Sequence, residues 1–371
     1  MKFTPEDARH MAHALRLARR GLYTTDPNPR VGCVIVNDGR VIAEGWHERA
    51  GEPHAEINAL RSAGDRPVAG ASVYLTLEPC CHHGRTPPCT QALIEAGVGR
   101  VVVAMPDPNP QVAGEGIALL KKAGIAVDVG LMQAEAEALN PGFISRMTRD
   151  RPLVRVKLAS SLDGRTALAH GESKWITGEA ARADVQKWRA RSSAILTGVG
   201  TVLMDDPSLT VRDYRIGRQP LRVVLDNNLS MPPTAKMLAL EGKTLVVTCC
   251  SDEGQAGALR DAGAEVLLLP GDPRIELAAL MQELASREVN ELHVEAGATV
   301  CGALLEAGLV DELLLYVAPH VMGDKARGMF KLPALESMTE RVALAITDVR
   351  AVGRDWRVSC KIAGSGRPGD G

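Results

Sequence analysis

The sequence predicts an α/β fold in two domains, and three observations carry this prediction. The chain has 371 residues, enough for roughly two to three domains of ~150 residues each. Segments with strand and helix character alternate through both halves, as α/β folds require. The charged, proline-containing stretch MTRDRP at 147–152 interrupts that alternation. We therefore expect one domain over residues 1–147 and a second over residues 152–363.

The first half begins with a well-signalled helix over residues 5–20. Thr4 is a suitable N-cap, Pro5 occupies the first turn, and Glu6 and Asp7 place acids at the positive end of the helix dipole. Asp38-Gly39 then predicts a hairpin turn between two β-rich runs. The pattern continues over these segments: strands at 31–38 and 39–47, a helix at 54–64, a strand at 73–79, a helix at 89–97, a strand at 100–108, and a further helix and strand up to residue 131.

The second half repeats the alternation over a longer stretch. The predicted segments are a strand at 153–164, a helix through 185–192, strands at 194–198, 221–226, 244–250 and 291–297, a helix at 298–308, and a strand at 311–319. The last segment, GSGRPGDG at 364–371, is too polar to bury apolar surface, so we expect a flexible tail.

Composition and charge exclude several classes of protein. Lys and Arg number 43 against 45 Asp and Glu, so the basic excess of a nucleic-acid-binding protein is missing. No apolar run reaches the ~18 residues of a membrane span, and the N-terminus does not resemble a signal peptide. We expect a cytoplasmic protein without nucleic-acid or membrane partners, whose eight cysteines are free, metal-binding or catalytic.

A cluster of metal-binding residue types lies between residues 53 and 89. His54 is followed two positions later by Glu56, and Cys80 and Cys89 follow further along the chain. One imidazole and two thiolates are the ligands of a catalytic zinc that keeps its fourth position for water. We predict Zn²⁺ at His54, Cys80 and Cys89, with Glu56 as the general base and acid of a hydrolytic deamination.

The spacing leaves alternatives open. Zinc deaminases typically show H-x-E followed by P-C-x-x-C, but here eight residues separate Cys80 from Cys89. Other residues of that loop, namely Cys81, His82 and His83, are chemically competent ligands. A strand end followed by a helix start suits Cys80 and Cys89 better. The plainer interpretation is a buried cysteine pair near a surface histidine. Next to the two histidines, Arg85 suits a substrate phosphate.

Several longer motifs resemble a known family. TDPNPRVGCVIV, PHAEINAL, TLEPCCHHGRTPPC and DPNPQVAGEG resemble the deaminase half of the bifunctional riboflavin-biosynthesis deaminase/reductases. VKLASSLDGRTA, GESKWITG, TGVGTVLMDDPSLTVR and VEAGATVCGALLEAGLVDELLLYVAP resemble the reductase half, in the same order. The resemblance implies a cytidine-deaminase-like three-layer domain and a dihydrofolate-reductase-like domain. The implied substrate is 2,5-diamino-6-ribosylamino-4(3H)-pyrimidinone 5′-phosphate, which is deaminated and then reduced by NADPH at its ribosyl group.

Without that resemblance, the motifs of the second half indicate a cofactor site only weakly. Gly198-Val199-Gly200 lacks the third glycine of a dinucleotide-binding G-x-G-x-x-G. The turn at Glu295–Thr299 precedes a helix whose first amides can bind phosphate, although such a turn is more often a packing device. By resemblance, the residues that would contact NADPH are Ala159, Trp175, Thr201, Asp205, Asn227, Gly297, Ala298, Thr299, Val300, Cys301, Gly302 and Ala303. Those that would contact the ribosyl phosphate are Ser173, Arg189, Leu209, Arg212 and Glu295.

Some of these residues also have plainer interpretations. Arg189 could belong to a solvated helix face, and Trp175 could be a core residue. Lys157 and Asp163 are charged residues near the expected site without an assigned role, whereas Cys249, Cys250 and His293 suit a core or strand edge.

Two rival functions remain at this stage. One is a zinc deaminase of nucleosides or RNA with an accessory domain, against which the balanced charge argues. The other is a scaffold with a structural zinc, which three ligands and a nearby free carboxylate disfavour. For the chain as a whole we also expect a homo-oligomer.

Overall fold

The computed structural model describes residues 3–81, 88–110, 112–271 and 273–363. The chain divides into two compact units. The first contains the residues up to Asp150 together with 215–217, and the second contains the remaining described residues. The predicted tail at 364–371, and the loop residues His82, His83 and Arg85, lie outside the described residues.

The bounds of the elements follow, for the described residues. The α-helices are α1 Pro5–Ala18, α2 Ala55–Ala63, α3 Cys89–Glu95, α4 Glu115–Lys122, α5 Gln133–Leu139, α6 Pro141–Arg149, α7 Glu179–Arg191, α8 Val199–Asp205, α9 Glu253–Asp261, α10 Leu277–Ser286 and α11 Ala298–Glu306. The strands are β1 Gly32–Asn37, β2 Arg40–Trp46, β3 Ser72–Leu75, β4 Arg100–Val103, β5 Ala126–Val129, β6 Leu153–Ser161, β7 Arg165–Ala167, β8 Ala194–Gly198, β9 Leu221–Leu225, β10 Thr244–Thr248, β11 Glu265–Leu268, β12 Glu291–Val294, β13 Glu312–Ala318, β14 Arg327–Gly328, β15 Leu344–Val352 and β16 Asp355–Ile362.

The first unit is built on a five-stranded sheet in the order β2-β1-β3-β4-β5. β1 pairs antiparallel with β2 and β3, while β3, β4 and β5 run parallel. Asp38 and Gly39, which join β1 to β2, both have positive φ angles, of 47° and 72°. This is the conformation that the Asp-Gly dipeptide favours in a tight hairpin, so the predicted hairpin is confirmed.

Side chains alternate across this sheet and build a core on each face. Val34 and Val36 of β1 pack toward α1 and α6. Cys33 and Ile35 of the same strand pack toward α2, α3 and α4 on the opposite face. Because both faces carry helices, the first unit is the three-layer α/β arrangement that the family resemblance implies.

The second unit is built on a nine-stranded sheet in the order β11-β10-β9-β8-β12-β6-β13-β16-β15. The strands from β11 to β13 pair parallel, and β16 and β15 continue the sheet in antiparallel pairing. A separate two-stranded ribbon joins β7 and β14. The carboxyl ends of β9, β8, β12 and β6 therefore lie side by side, where open α/β sheets bind their ligands.

The α/β class predicted from the sequence is confirmed in both units, but several elements are absent from the prediction. The helices α5, α6, α9 and α10 and the hairpin of β15 and β16 were not expected. α9 carries two glycines, which weaken the helical signal. β15 is exposed along nearly its whole length, so the alternation of buried and exposed residues that marks a strand is missing.

The helices of the described residues are short. The longest, α1, has 14 residues. Among the residues the structure describes, no helix is long and apolar enough to cross a membrane.

Two candidate active sites

The structure brings His54, Cys80 and Cys89 together in the first unit. His54 Nδ1 lies 3.5 Å from Cys80 Sγ and 3.3 Å from Cys89 Sγ. Zinc bonds of about 2.0–2.1 Å to nitrogen and 2.3 Å to sulfur in a tetrahedron place such atoms roughly 3.5 Å apart. All three ligand atoms lie within 4.8 Å of one another. The donor set and its spacing therefore fit a zinc ion.

Three local structures position these side chains. His54 is the N-cap residue of α2, Cys80 follows the end of β3, and Cys89 is the first residue of α3. The backbone N–H of Cys89 donates to Cys80 Sγ at 3.3 Å. Hydrogen bonds from the Cys89 and His54 side chains lower the pKa of Cys80. The cluster thus favours the thiolate form at Cys80, which is the form that binds metal.

Glu56 lies in the first turn of α2 and is only 3% exposed. Burial raises the pKa of its carboxyl to about 7, and the negative charge of Cys80 adds to this effect. A carboxyl group with a pKa near neutrality can both accept and release a proton at physiological pH. Glu56 lines the same cavity as His54 and Cys80. The geometry suits a proton carrier beside a metal.

That cavity has a volume of about 220 Å³. Sequence analysis did not single out several of its polar residues, among them Asn28 and His47. His47 is buried, and its Nε2 lies 3.1 Å from Asn28 Nδ2 while its Nδ1 lies 3.1 Å from the Pro53 carbonyl oxygen. Asn28 belongs to the TDPNPRVG motif, which was the available signal for it.

Cys81, an alternative ligand in the sequence, points elsewhere. Its thiol lies 3.7 Å from Glu115 Oε2, and it is not part of the His54, Cys80 and Cys89 cluster. The histidines that compete with it in the sequence lie outside the described residues.

The second unit contains a larger cavity of about 850 Å³. Most of the residues expected to contact NADPH line it. They are Ala159, Trp175, Thr201, Asp205, Asn227, Gly297, Ala298, Thr299, Val300 and Ala303. Two of the residues expected at the ribosyl phosphate, Ser173 and Glu295, line the same cavity. The expected residues that line the cavity thus come from five separate stretches of chain, a convergence that local sequence patterns do not indicate.

Other expected residues do not line the cavity. Cys301 is fully buried, and Gly302 packs so closely against Lys331 that an added Cβ would lie 2.1 Å from its carbonyl oxygen. Leu209 is buried in a hydrophobic core, and Arg212 is exposed. Arg189 does not belong to a solvated face, because its side chain is only 14% exposed and pairs with Glu295.

Lys157, to which the sequence analysis gave no role, forms a cluster of charged residues with Glu295 and Arg189. It lines the cavity beside Glu295, whose carboxylate accepts two hydrogen bonds from Arg189, at 2.5 and 2.8 Å. Burial alone would raise the pKa of Glu295, but the charge and hydrogen bonds of Arg189 hold it well below its usual range. Burial lowers the pKa of Lys157. The cavity therefore contains a fixed carboxylate and a lysine that releases its proton more readily.

The residues around this cavity fit a dinucleotide. Gly297 is the N-cap of α11 without a side-chain hydrogen bond to the helix. A Cβ added at Gly297 would meet nothing within 4 Å, and residues 297–300 line the cavity, so the first turn of α11 borders open space. Trp175 is 69% exposed rather than a core residue, and the Arg182 guanidinium lies 4.6 Å from its ring centroid. An aromatic face and free helix amides suit the rings and the diphosphate of NADPH.

The remaining residues singled out in the sequence lie in hydrophobic cores or form hydrogen bonds with the backbone. Cys249 and Cys250 pack against different hydrophobic cores, and His293 is fully buried in β12 with its Nε2 3.4 Å from Glu295 Oε1. Asp163 accepts hydrogen bonds from the backbone N–H groups of Met322 and Gly323, at 3.1 and 2.8 Å.

Comparisons with known proteins match both units. Residues 4–105 match the family model of the cytidine and deoxycytidylate deaminase zinc-binding region. Residues 152–358 match the model of the RibD C-terminal domain. The riboflavin biosynthesis protein RibD of Escherichia coli K12 is 49% identical over 363 residues, covering 94% of this chain and 98% of that relative.

Solved structures agree along nearly the whole chain. Acinetobacter baumannii RibD, form 1, is 47% identical with a TM-score of 0.90, covering 96% of this chain and 99% of that one. The diaminohydroxyphosphoribosylaminopyrimidine deaminase/5-amino-6-(5-phosphoribosylamino)uracil reductase of Thermotoga maritima is 34% identical with a TM-score of 0.87, covering 96% of this chain and 99% of that one. With this identity over both units, the chain belongs to the RibD family of riboflavin biosynthesis proteins.

Proposed function

We propose that each unit carries one of two consecutive reactions on a phosphorylated pyrimidine. The first unit deaminates 2,5-diamino-6-ribosylamino-4(3H)-pyrimidinone 5′-phosphate, and the second reduces the ribosyl group of the product to ribityl with NADPH. The observation that carries this proposal is the presence, within one chain, of a zinc-type His-Cys-Cys cluster and a separate 850 Å³ cavity lined by an open helix N-terminus.

For deamination, we assign His54, Cys80 and Cys89 as the zinc ligands and Glu56 as the proton carrier. A zinc ion held there would supply an activated water. Glu56 accepts a proton from the attacking water on its carboxylate and delivers it to the departing amine, so that ammonia leaves. The raised pKa of Glu56, about 7, suits both halves of this transfer.

For reduction, we assign the diphosphate of NADPH to the first amides of α11 and its rings to the cavity walls around Ala159 and Trp175. When bound there, NADPH would supply the hydride that reduces C1′ of the ring-opened ribosyl group. One proton must also reach the nitrogen attached to C1′. Lys157 is the lysine that lines the cavity, and its lowered pKa favours release of that proton. Arg189 orients Glu295 toward the substrate through its two hydrogen bonds.

We assign the deaminase domain to residues 1–147 and the reductase domain to residues 152–363. The matched reductase region begins at residue 152, and the compact units separate after Asp150, which supports this division.

We also propose that the chain forms a homo-oligomer and binds no nucleic acid. β15 is the last strand of its sheet, and its side chains Leu344, Ile346 and Val349 are 42%, 66% and 51% exposed. An exposed apolar edge strand favours pairing with another chain. The near-zero net charge of -2 argues against a nucleic-acid partner. Eight cysteines that are free in the structure suit a reducing compartment, and we place the protein in the cytoplasm.

Product identification tests the proposal. The purified protein is incubated with the diamino substrate, with and without NADPH, and the products are identified by mass spectrometry. We expect the deaminated ribosyl compound without NADPH and the deaminated ribityl compound with it. Recovery of unchanged substrate from zinc-loaded protein would contradict the deaminase assignment, and a ribosyl product in the presence of NADPH would contradict the reductase assignment.

A further inference from the structure

Glu78 is a buried carboxylate at the edge of the deaminase cavity that has no part in the mechanism above. It follows β3, precedes Cys80 by two positions, and is 3% exposed. It lines the same cavity as Glu56. A buried carboxylate is costly unless it is hydrogen-bonded, so its partners indicate what it is for.

Those partners are three backbone N–H groups. Glu78 Oε2 accepts from Asp107 at 3.0 Å and from Gly114 at 3.0 Å, and Oε1 accepts from Ile117 at 3.1 Å. All three donors belong to residues 107–110 and 112–117, between β4 and the first turns of α4; we name these residues the DPNP segment. A single side chain thus holds both ends of the segment.

The DPNP segment also forms part of the cavity wall. Asp107, Asn109 and Val112 line the cavity that contains Glu56 and His54. The Asn109 N–H donates to Asp107 Oδ1 at 2.8 Å, which forms a compact turn. The position of this turn therefore depends on the carboxylate of Glu78.

The glycines of the segment fit the same arrangement. Gly114 has a φ angle of +84°, and its N–H is one of the three donors. A Cβ at Gly116 would lie 2.3 Å from the Pro79 carbonyl oxygen, so only glycine allows the segment to approach the chain next to Glu78 so closely. The DPNPQVAGEG motif is thus built around the contact with Glu78.

We propose that Glu78 is a positioning residue for deamination, which holds Asp107 and Asn109 in the arrangement that receives the substrate. This inference rests on the deaminase function proposed above. When the anchor is removed, the binding-competent arrangement of the segment is populated less. The apparent affinity for substrate then falls in proportion to the population of the binding-competent arrangement. The rate at which bound substrate reacts changes little.

Kinetics of the full-length, zinc-loaded protein test this. In Glu78→Gln, the side chain keeps its shape, but its amide N–H group now faces a backbone N–H group. Glu78→Ala removes all three hydrogen bonds to the backbone N–H groups. We expect the KM of deamination to rise about tenfold or more in Glu78→Gln and further in Glu78→Ala. We expect kcat to stay within about threefold, and zinc content and reduction of supplied deaminated intermediate to stay unchanged.

Asp7→Asn is the matched control. Asp7 is also a buried carboxylate of the first unit, but its partners are Arg100, Tyr74 and Thr4, and it does not line the cavity. This variant should lose stability without a change in KM. An unchanged KM in folded, zinc-loaded Glu78→Gln would overturn the proposal, as would an equal rise in Asp7→Asn. Wild-type protein that does not deaminate the substrate would instead refute the proposed function.

A second inference concerns the reductase cavity and rests on independent observations. Four cations line it: Lys157, Arg182, Arg274 and Arg327. Its walls follow the neighbouring strands β6, β12, β8 and β9, and α11 begins after β12, between the two sides. A dinucleotide whose diphosphate lies at α11 extends one arm toward β6 and the other toward β8 and β9. The hydride-donating arm would lie toward β6, because Lys157, the proton source assigned above, is in that strand.

Only Arg274 among these four cations lies on the other side. Ile275, the next residue, donates its N–H to Asn227 Oδ1 at 3.2 Å, just after β9. The other arginines are held elsewhere: Arg182 donates to the Thr177 carbonyl oxygen, and Arg327 lies in β14 beside β7. Arg274 is exposed, and within the described part of the chain its guanidinium has no hydrogen-bond or ion-pair partner.

Two carboxylates lie on that side of the cavity: Asp205, which pairs with Lys174 at 3.1 Å, and Asp226, which is also engaged. Asp226 accepts from Met231 N–H at 2.7 Å, from Ser230 Oγ at 3.0 Å and from Asn228 N–H at 3.3 Å. Asp226 therefore offers no free acceptor for the ribose 2′-hydroxyl of NADH. A guanidinium, by contrast, suits a 2′-phosphate.

We infer that Arg274 binds the 2′-phosphate of NADPH and sets the preference over NADH, given the reductase function proposed above. Calorimetric titration with NADP⁺ and NAD⁺ tests this without turnover. We expect Arg274→Gln to weaken NADP⁺ binding about tenfold or more and to leave NAD⁺ binding within about twofold. Arg260→Gln, an exposed arginine paired with Glu253 outside the cavity, is the matched control.

Equal losses for both dinucleotides in Arg274→Gln would overturn the assignment to the 2′-phosphate, and so would unchanged NADP⁺ binding. Wild-type protein that binds neither dinucleotide would refute the proposed reductase function instead.

Discussion

The two cavities of this chain are built in different ways. The deaminase cavity, of about 220 Å³, places a His-Cys-Cys cluster and Glu56 within one short stretch from residue 54 to residue 89. The reductase cavity, of about 850 Å³, collects residues from Lys157 to Arg327, over more than half of the second unit. The first depends on a compact set of side chains, whereas the second combines the backbone amides at the start of α11 with side chains from distant segments, such as Lys157 and Glu295.

This difference explains why one site is easier to recognise. A metal demands particular ligand types at short distances, so its residues form a pattern in the sequence. A dinucleotide cavity of this kind needs an open helix N-terminus and apolar walls, which many sequences can provide. Because the two sites are built from different residues, we expect that each can be disabled without the other. The following predictions test this.

Removal of the proton carrier should have the largest effect on one reaction alone. Glu56→Gln keeps the size of the side chain but cannot accept the proton. We expect deamination to fall by ~10²–10⁴-fold, with zinc retained and reduction of supplied deaminated intermediate intact. Steady-state rates on both substrates check this. Loss of reduction in folded, zinc-loaded Glu56→Gln would show that the two sites are not independent.

The reverse effect is expected from Lys157→Met. The substitution keeps the length of the side chain but removes the proton that we assign to reduction. The rate of NADPH oxidation with supplied intermediate should fall by about 10²-fold or more, while deamination is unchanged. NADP⁺ affinity, measured by calorimetry, separates a loss of proton transfer from a loss of cofactor binding. A normal rate of reduction would remove Lys157 from the mechanism.

Zinc content should distinguish the thiols of the first unit. Cys89→Ser is expected to lose most of its zinc because it removes one of three ligands, whereas Cys81→Ser, whose thiol faces Glu115, should retain it. Metal analysis of both purified variants checks this. Full zinc in Cys89→Ser together with loss in Cys81→Ser would reverse the ligand assignment.

A smaller effect is expected at the start of α11. Thr299→Pro removes one backbone amide from the first turn, and Thr299→Ala is the control that keeps it. A hydrogen bond to a charged group contributes about 1.5–3 kcal/mol, so we expect NADPH to bind roughly tenfold more weakly or worse in the proline variant. Deamination should be unaffected in both. Equal affinities in the two variants would place the diphosphate elsewhere.

The smallest effect concerns stability rather than catalysis. Burial alone would raise the pKa of Asp7, but hydrogen bonds from Arg100, Thr4 and Tyr74 together hold it well below its usual range. Because the folded-state pKa is depressed, this stabilisation is present above the unfolded pKa of about 3.9 and is lost as pH falls below it. The difference in free energy of unfolding between wild type and Asp7→Asn should therefore shrink between about pH 5 and pH 2. A constant difference over this range would contradict the ion-pair explanation.

The elements of secondary structure also differ in how well the sequence predicts them. The α/β class, the Asp38-Gly39 hairpin and the helix at Pro5 follow from local signals of turn chemistry, capping and periodicity. Strand β15 was missed because exposure on both faces removes the alternation that marks a strand.

By itself, the sequence determined the chemistry of the metal site, because His54, Glu56, Cys80 and Cys89 carry functional groups that few other arrangements use together. Only the tertiary structure decided that Arg189 pairs with Glu295, that Leu209 is buried in a core, and that Lys157 lies in the reductase cavity. The same holds for Glu78, whose three backbone partners lie 29 to 39 positions away. The physical reason is that burial and charge pairing depend on contacts between distant segments, which local spacing does not encode.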